Sequence, residues 1–305
     1  MANNNETQVS EKMECNSIFV HVDVNGTITN VHPDGKKGRI YRETPEYTLA
    51  KCIYGSVYAT DSGNEWVPSY NNSTETPLSG EITYLSFLIK EYGDGVETPL
   101  VVELALRCRD YEHPLHGLFE NDIVKLLESE KEIFFNSFLN LSILKRSILP
   151  KKLKRLIIIR TYGANIKQIA TALIANRLTP YLCARIKYTR SDDNGIKVPV
   201  LKTKHKDATK NFTIKGREEI GIFFARCSKR YRVLIIRDDY SMQQSIGKEI
   251  FPIPGNPLQV FFDDNPHVSI PEPNAYFIHT NTLSAATDEH YFERYINNFL
   301  SVCLS

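Results

Sequence analysis

At 305 residues the chain is long enough to bury a sizeable core as one large domain or two small ones, and its 42% apolar and 24% charged residues are ordinary for a soluble globular protein. Lys and Arg (37) nearly cancel Asp and Glu (36), so a net charge of +1 argues neither for nor against a nucleic-acid partner. Six scattered cysteines without a Cys-x-x-Cys pair fit neither a zinc site nor a disulfide framework.

Residues 1–15 are polar, rich in Asn and Glu, and read as a flexible N-terminus without the apolar stretch of a signal peptide. No run approaches the ~18 apolar residues that a membrane span needs. With reduced cysteines, this predicts a cytoplasmic protein. Ile18-Phe19-Val20-His21-Val22 then predicts a strand ending at Asp23, followed by the turn dipeptide Asn25-Gly26 and Thr27. Residues 31–116 are rich in Pro, Gly, Asn, Ser and Thr and read as an insert, with Trp66 as a core anchor of its own. Asn121 to Leu149 predicts one long helical stretch or two, ended by Pro150.

Leu156 to Ile159 predicts a second strand, ending at Arg160 and Thr161. The spacing of Ile166, Ile169, Ala170 and Leu173 predicts a helix over Asn165 to Asn176. Residues 189–216 read as a smaller, basic insert opened by Ser191-Asp192-Asp193-Asn194-Gly195. Val233 to Ile236 leads into Arg237, Asp238 and Asp239; Leu258 to Phe262 leads into Asp263 and Asp264; Tyr276 to Ile278 leads into His279 and Thr280.

Short apolar runs without strict alternation are the mark of strands buried on both faces. Alternating with helices, they predict an α/β fold, a three-layer Rossmann-like parallel sheet with a cap-type insert after the first strand. Sites in such sheets form beyond the carboxyl ends of the strands, so the polar tips are expected to gather on one edge. A carboxylate at a strand tip before a glycine loop can serve as nucleophile, metal ligand or both. Paired acids on another tip suit magnesium, which favours one or two carboxylates with water and phosphate.

These tips resemble the motifs of the haloacid dehalogenase-like superfamily. Asp23-Val24-Asn25-Gly26-Thr27 looks like its first motif, Leu156 to Thr161 its second, and Leu258 to Asp264 its fourth. The resemblance covers residues 16–30 and 117–280, and implies a core of 16–30 plus 117–305 with residues 31–116 as the cap. It implies a magnesium-dependent hydrolase or phosphotransferase, with Asp23 as phospho-accepting nucleophile and metal ligand. Asp263 and Asp264 would complete the metal site with Asn25, through its backbone carbonyl. Thr161, with Gly26 and Thr27, would bind the phosphoryl group. Lys248 is the first choice for the third-motif cation and Arg237 the second. The substrate would be a phosphorylated small molecule or phosphoprotein.

One position departs from the pattern. The family's phosphatases usually carry a second Asp where this chain has Asn25, and an amide cannot exchange a proton near neutral pH. General acid–base help is worth ~10²–10⁴-fold. His21, with the same strand-face parity as Asp23, is one substitute proton carrier, against the commoner reading of a satisfied strand histidine. Asp238 and Asp239 read as loop acids. Two rivals stay open: a catalytically weak or inactive module recognising a phosphorylated or anionic partner, and nucleic-acid binding through Lys145 to Arg155 and Lys197 to Arg217.

Overall fold

The computed structural model describes residues 17–29, 31–33, 40–42, 45–69, 78–92, 133–143, 154–163, 166–178, 181–190, 195–203, 211–264, 268–269 and 274–304. The expectations for residues 1–15, for 121–132 and 144–150, for Lys145 to Lys152 and for the Ser191–Asn194 opening lie outside these. In chain order, β1 (Ser17–Asp23) is followed by β2 (Val31–Pro33), β3 (Ile40–Arg42), α1 (Pro45–Cys52), β4 (Tyr54–Thr60), β5 (Gly63–Pro68), β6 (Ile82–Thr83) and α2 (Tyr84–Tyr92). Then come α3 (Asn136–Ile143), β7 (Lys154–Thr161), α4 (Ile166–Ala175), β8 (Tyr181–Arg190), β9 (Lys197–Thr203), β10 (Thr213–Lys215) and α5 (Arg217–Cys227). The chain finishes with β11 (Val233–Arg237), β12 (Lys248–Glu249), β13 (Leu258–Asp263), β14 (Val268–Ser269), β15 (Ala275–His279), α6 (Thr282–Thr287) and α7 (Tyr291–Leu304).

The fold is α/β, built on an eight-stranded sheet in the order β10-β9-β8-β11-β7-β1-β13-β15. Strands β8, β11, β7, β1, β13 and β15 run parallel, while β9 and β10 extend one edge antiparallel. The sheet is therefore mixed rather than wholly parallel. The basic stretch 189–216 carries β9 and β10, which belong to the main sheet. Its polar, basic composition hid the strands because an edge needs only one buried face.

Helices cover both faces. Val20, Val22, Ile157, Ile159, Val260 and Phe262 pack with Phe138 of α3, Leu173 of α4 and Phe292 of α7. Phe19, Leu156, Ile158, Leu234 and Ile236 pack on the other face with Ile220 and Phe224 of α5. Each fully buried side chain of this kind contributes about 1.5–3 kcal/mol. Burial on both faces is why these strands read as near-continuous apolar runs.

The order of strands positions the site. From β1 the chain builds β7, β8 and β11 to one side, then returns to lay β13 and β15 on the other. A topological switch point thus falls between β1 and β13, where open α/β sheets leave a crevice beyond the carboxyl ends. Register places Val22 opposite Phe262 and Asp23 opposite Arg160, so the predicted tips end level with one another.

Within the insert, β4, β5 and β6 form a separate small sheet. Its core gathers Leu49, Ile53, Trp66, Tyr84, Phe87 and Leu88 and packs against Leu283 and Ala286 of α6. Trp66 is its anchor: the ring lies 4.8 Å from that of Tyr84, and Nε1 donates to the Ile82 carbonyl at 3.1 Å. Asn281 Nδ2 donates to the Cys52 carbonyl at 3.0 Å, tying the end of α1 to the start of α6. Among the described residues no helix is long and apolar enough to cross a membrane, and Cys183 and Cys227 are free thiols.

Candidate functional site

Asp23 ends β1 and Asp263 ends the neighbouring β13, both buried, and Lys248 joins them. Its Nζ donates to Asp23 Oδ1 and, at 2.7 Å, to Asp263 Oδ2. Only 3% of Lys248 is exposed. Burial lowers its pKa, but two carboxylates more than offset this and hold it above the usual lysine value. Asp23 is raised as well, from 3.8 to about 7, which disfavours its charged form. Desolvation is the main cause; Lys248 opposes it and Asp263 adds to it. One ammonium faces two buried carboxylates, so the second negative charge is the costly one.

The loop after Asp23 is a tight turn in which Gly26 N–H donates to the Thr29 carbonyl at 2.8 Å. Gly26 has φ +76°, and a Cβ there would lie 2.2 Å from Asp264 Oδ2. Glycine thus provides both the left-handed backbone and the space in which the Asp264 carboxylate rests. The Asp264 N–H donates to Thr27 Oγ1 at 3.1 Å, latching the tip of β13 to this loop. The Thr27 hydroxyl thereby positions Asp264.

One oxygen from each of Asp23, Asp263 and Asp264 lies within 4.8 Å of the other two. An all-oxygen carboxylate set fits a hard cation such as magnesium or calcium and suits softer metals poorly. Asn25 Oδ1, in the same loop, is buried and without a hydrogen-bond partner among the described residues.

The remaining expected residues stand apart from this cluster. Thr161 ends β7 at the same edge, but its hydroxyl accepts from the Gly163 N–H at 3.0 Å, and strand alternation gives it the face of Ile157 and Ile159 rather than that of Asp23. Arg237 ends β11 level with Thr161, half-buried, with no hydrogen bond or ion pair to the described residues.

A second network behind Lys248 was not foreseen. Arg160, fully buried, donates through Nε to Asp238 Oδ2 at 2.9 Å and through Nη2 to Oδ1 at 2.6 Å. Its Nη1 donates to the Glu249 carbonyl at 3.0 Å. The Glu249 carboxylate receives Arg217 Nε at 2.5 Å and the Tyr188 hydroxyl at 3.0 Å. Both halves of Glu249 are therefore held, and with them the short strand that carries Lys248. This overturns the loop-acid reading of Asp238, which is the buried ion-pair partner of Arg160, while the Glu249 carboxylate is taken up by Arg217 and Tyr188. Asp239 does act locally: it accepts from Ser241 and from the Tyr188 N–H.

His21 is corrected as a proton carrier. It is fully buried beside Phe261 and Phe224, with Nε2 3.2 Å from Gln259 Oε1. Burial first, then the Arg160 charge, lower its pKa from 6.5 to about 3. Between those pH values the unfolded chain takes a proton that the folded chain refuses. Stability present above pH 6.5 is accordingly lost as pH falls toward 3, by on the order of several kcal/mol. His21→Gln should remove this share: its unfolding free energy relative to the native chain, measured in urea, should be constant above pH 7 and move in its favour toward pH 4.

Compared with known proteins, the chain matches no protein-family model, no curated sequence and no solved structure.

Proposed function

We propose that the protein is a magnesium-dependent phosphoryl-transfer hydrolase of the haloacid dehalogenase-like kind, acting through an aspartyl-phosphate at Asp23. The observation that carries this reading is the meeting of Asp23, Asp263, Asp264 and Lys248 at the sheet's switch point. Phosphoryl transfer asks mainly for a positioned acceptor and for positive charge around the transferring oxygens.

In this reading Asp23 is the acceptor. Lys248, kept charged and held by two carboxylates, places an ammonium where the phosphoryl oxygens gather charge. Asp263 and Asp264, with the Asn25 carbonyl, would hold magnesium, which supplies further charge neutralisation of the phosphoryl group. Thr161 and Arg237 end strands at the same edge but lie on the other face of the sheet from Asp23, so this reading gives them no contact with the phosphoryl group. The insert, tied through α1 to α6, is the cap, and the free thiols suit a cytosolic enzyme.

The test is turnover of a broad panel of phosphate monoesters with magnesium; release of phosphate from none of them ends this reading. Metal binding is checked separately. Magnesium at ~100 times its Kd should stabilise the fold by about 2.7 kcal/mol, seen as a raised Tm that Asp263→Asn abolishes. The same Tm with and without magnesium would remove the metal from the proposal.

A second reading has one observation in its favour. Lys248 already neutralises part of the carboxylate cluster from within, and Asn25 offers no acid. A module that binds a phosphorylated or anionic partner without turnover would show phosphate binding and no product.

A further inference from the structure

The mouth of the site carries an aromatic wall. Tyr162, directly after β7, lies with its ring 5.2 Å from Lys248 Nζ, the atom that bridges Asp23 and Asp263. Its hydroxyl is buried and has no hydrogen-bond partner among the described residues. Tyr240 packs edge-on against it, centroids 6.1 Å apart at 85°, and is 71% exposed. Asp239 fixes the 3-10 turn Tyr240–Met242 by accepting from the Ser241 N–H and, at 2.9 Å, from its hydroxyl. An aromatic side chain left this bare, on a capped turn beside a buried charged cluster, offers a ring a flat partner at little entropic cost.

The second observation concerns the leaving group. Asn25 stands two residues beyond Asp23 and cannot donate a proton near neutral pH. Lys248 Nζ is engaged by two carboxylates, and the Tyr162 hydroxyl is buried away from the cluster's carboxylates without a partner among the described residues. His279 sits at the far flank on β15, with Nε2 3.1 Å from the Asp264 carbonyl oxygen. A site furnished this way favours a leaving group that departs as its anion. Phenols, with an ordinary pKa of about 10, do so; alkoxides, close to hydroxide in basicity, do not.

We propose that the site takes aryl phosphates, monoesters of a phenol of the phosphotyrosine type, with Tyr240 and Tyr162 as the wall that receives the ring. This rests on Asp23 as phosphoryl acceptor. An Asp23 oxygen forms the bond to phosphorus while the bond from phosphorus to the phenolic oxygen breaks. The phenolate leaves with the electron pair and takes its proton from water. Water then attacks the aspartyl-phosphate, giving inorganic phosphate and restoring the Asp23 carboxylate.

The experiment separates binding from turnover. Calorimetry on full-length Asp23→Asn protein with magnesium compares phosphotyrosine and phosphoserine. Phosphotyrosine should bind at least tenfold more tightly, Tyr240→Ala in the same background should bring that ratio near one, and Tyr240→Phe should keep it. Equal affinities, or a preference that survives Tyr240→Ala, overturn the proposal even if the native protein turns over both esters. A preference erased by Tyr240→Ala in a protein that turns over neither supports the aryl site and removes the aspartyl-phosphate. Phenyl phosphate bound as tightly as a phosphotyrosyl peptide supports the proposal with a small-molecule source; tighter peptide binding supports it with a protein source.

Discussion

Asp23→Asn protein should fold and be inactive, with turnover of any accepted ester reduced by ~10³-fold or more, since loss of a nucleophile removes the covalent step outright. The fold should gain rather than lose from this exchange. The native Asp23 has its pKa raised from 3.8 to about 7 by burial, so the folded chain holds a proton that the unfolded chain releases between those values. Stability is present below pH 3.8 and drains away as pH rises through 7. An amide at this position escapes that penalty. Urea unfolding at pH 8 without magnesium should therefore show the variant at least as stable as the native chain, while phosphate release falls to background. A variant that is both unfolded and inactive would leave the residue's role structural, and one that still turns over substrate would remove the nucleophile.

Asp238→Ala should cost about 3–5 kcal/mol, because it leaves the buried Arg160 guanidinium without its carboxylate. The pair is bidentate and lies at 0% and 5% exposure, so solvent cannot repair the loss. Replacing both members by apolar residues of like volume, Arg160→Met with Asp238→Leu, should recover most of that stability. It should not recover activity. Arg160 also holds the Glu249 carbonyl, and Glu249 follows Lys248 directly. Chemical denaturation and turnover measured side by side distinguish these two effects. If the single variant loses less than ~1 kcal/mol, the ion pair is not what supports β12.

The parts of this fold legible in the sequence were those buried on both faces. β1, β7, β11, β13 and β15 announce themselves as dense apolar runs of Ile, Val, Leu, Phe and Tyr, broken within the run by His21 in β1 and Gln259 in β13. β8 does not: Leu182, Ala184 and Ile186 turn inward while Arg185 and Lys187 face solvent. That alternation is itself a strand signal, but a search for dense apolar runs passes over it. β9 and β10 were lost to their charged outer faces in the same way.

At the site, the strand-tip acids and Lys248 could be found because each stands beside a local landmark, an apolar run or Gly247. Arg160 and Asp238 could not be paired by reading, since 78 positions separate them and each alone looks like a polar tip. The period-2 parity of β7 did distinguish the faces of Arg160 and Thr161. Applied at the strand tip, it would have turned Thr161 away from Asp23.

The antiparallel turn-back of β9 and β10 also bears on how the protein behaves in concentrated solution. A parallel sheet ending at β8 would present ten residues of open backbone donors and acceptors, long enough to template a strand from another chain. Instead the outermost strand is three residues, Thr213 to Lys215, finished by an exposed lysine and by Gly216 at φ +105°, where the chain swings into α5. So short and charged a border gives a neighbouring molecule little to zip onto, and self-association along that side of the sheet is suppressed.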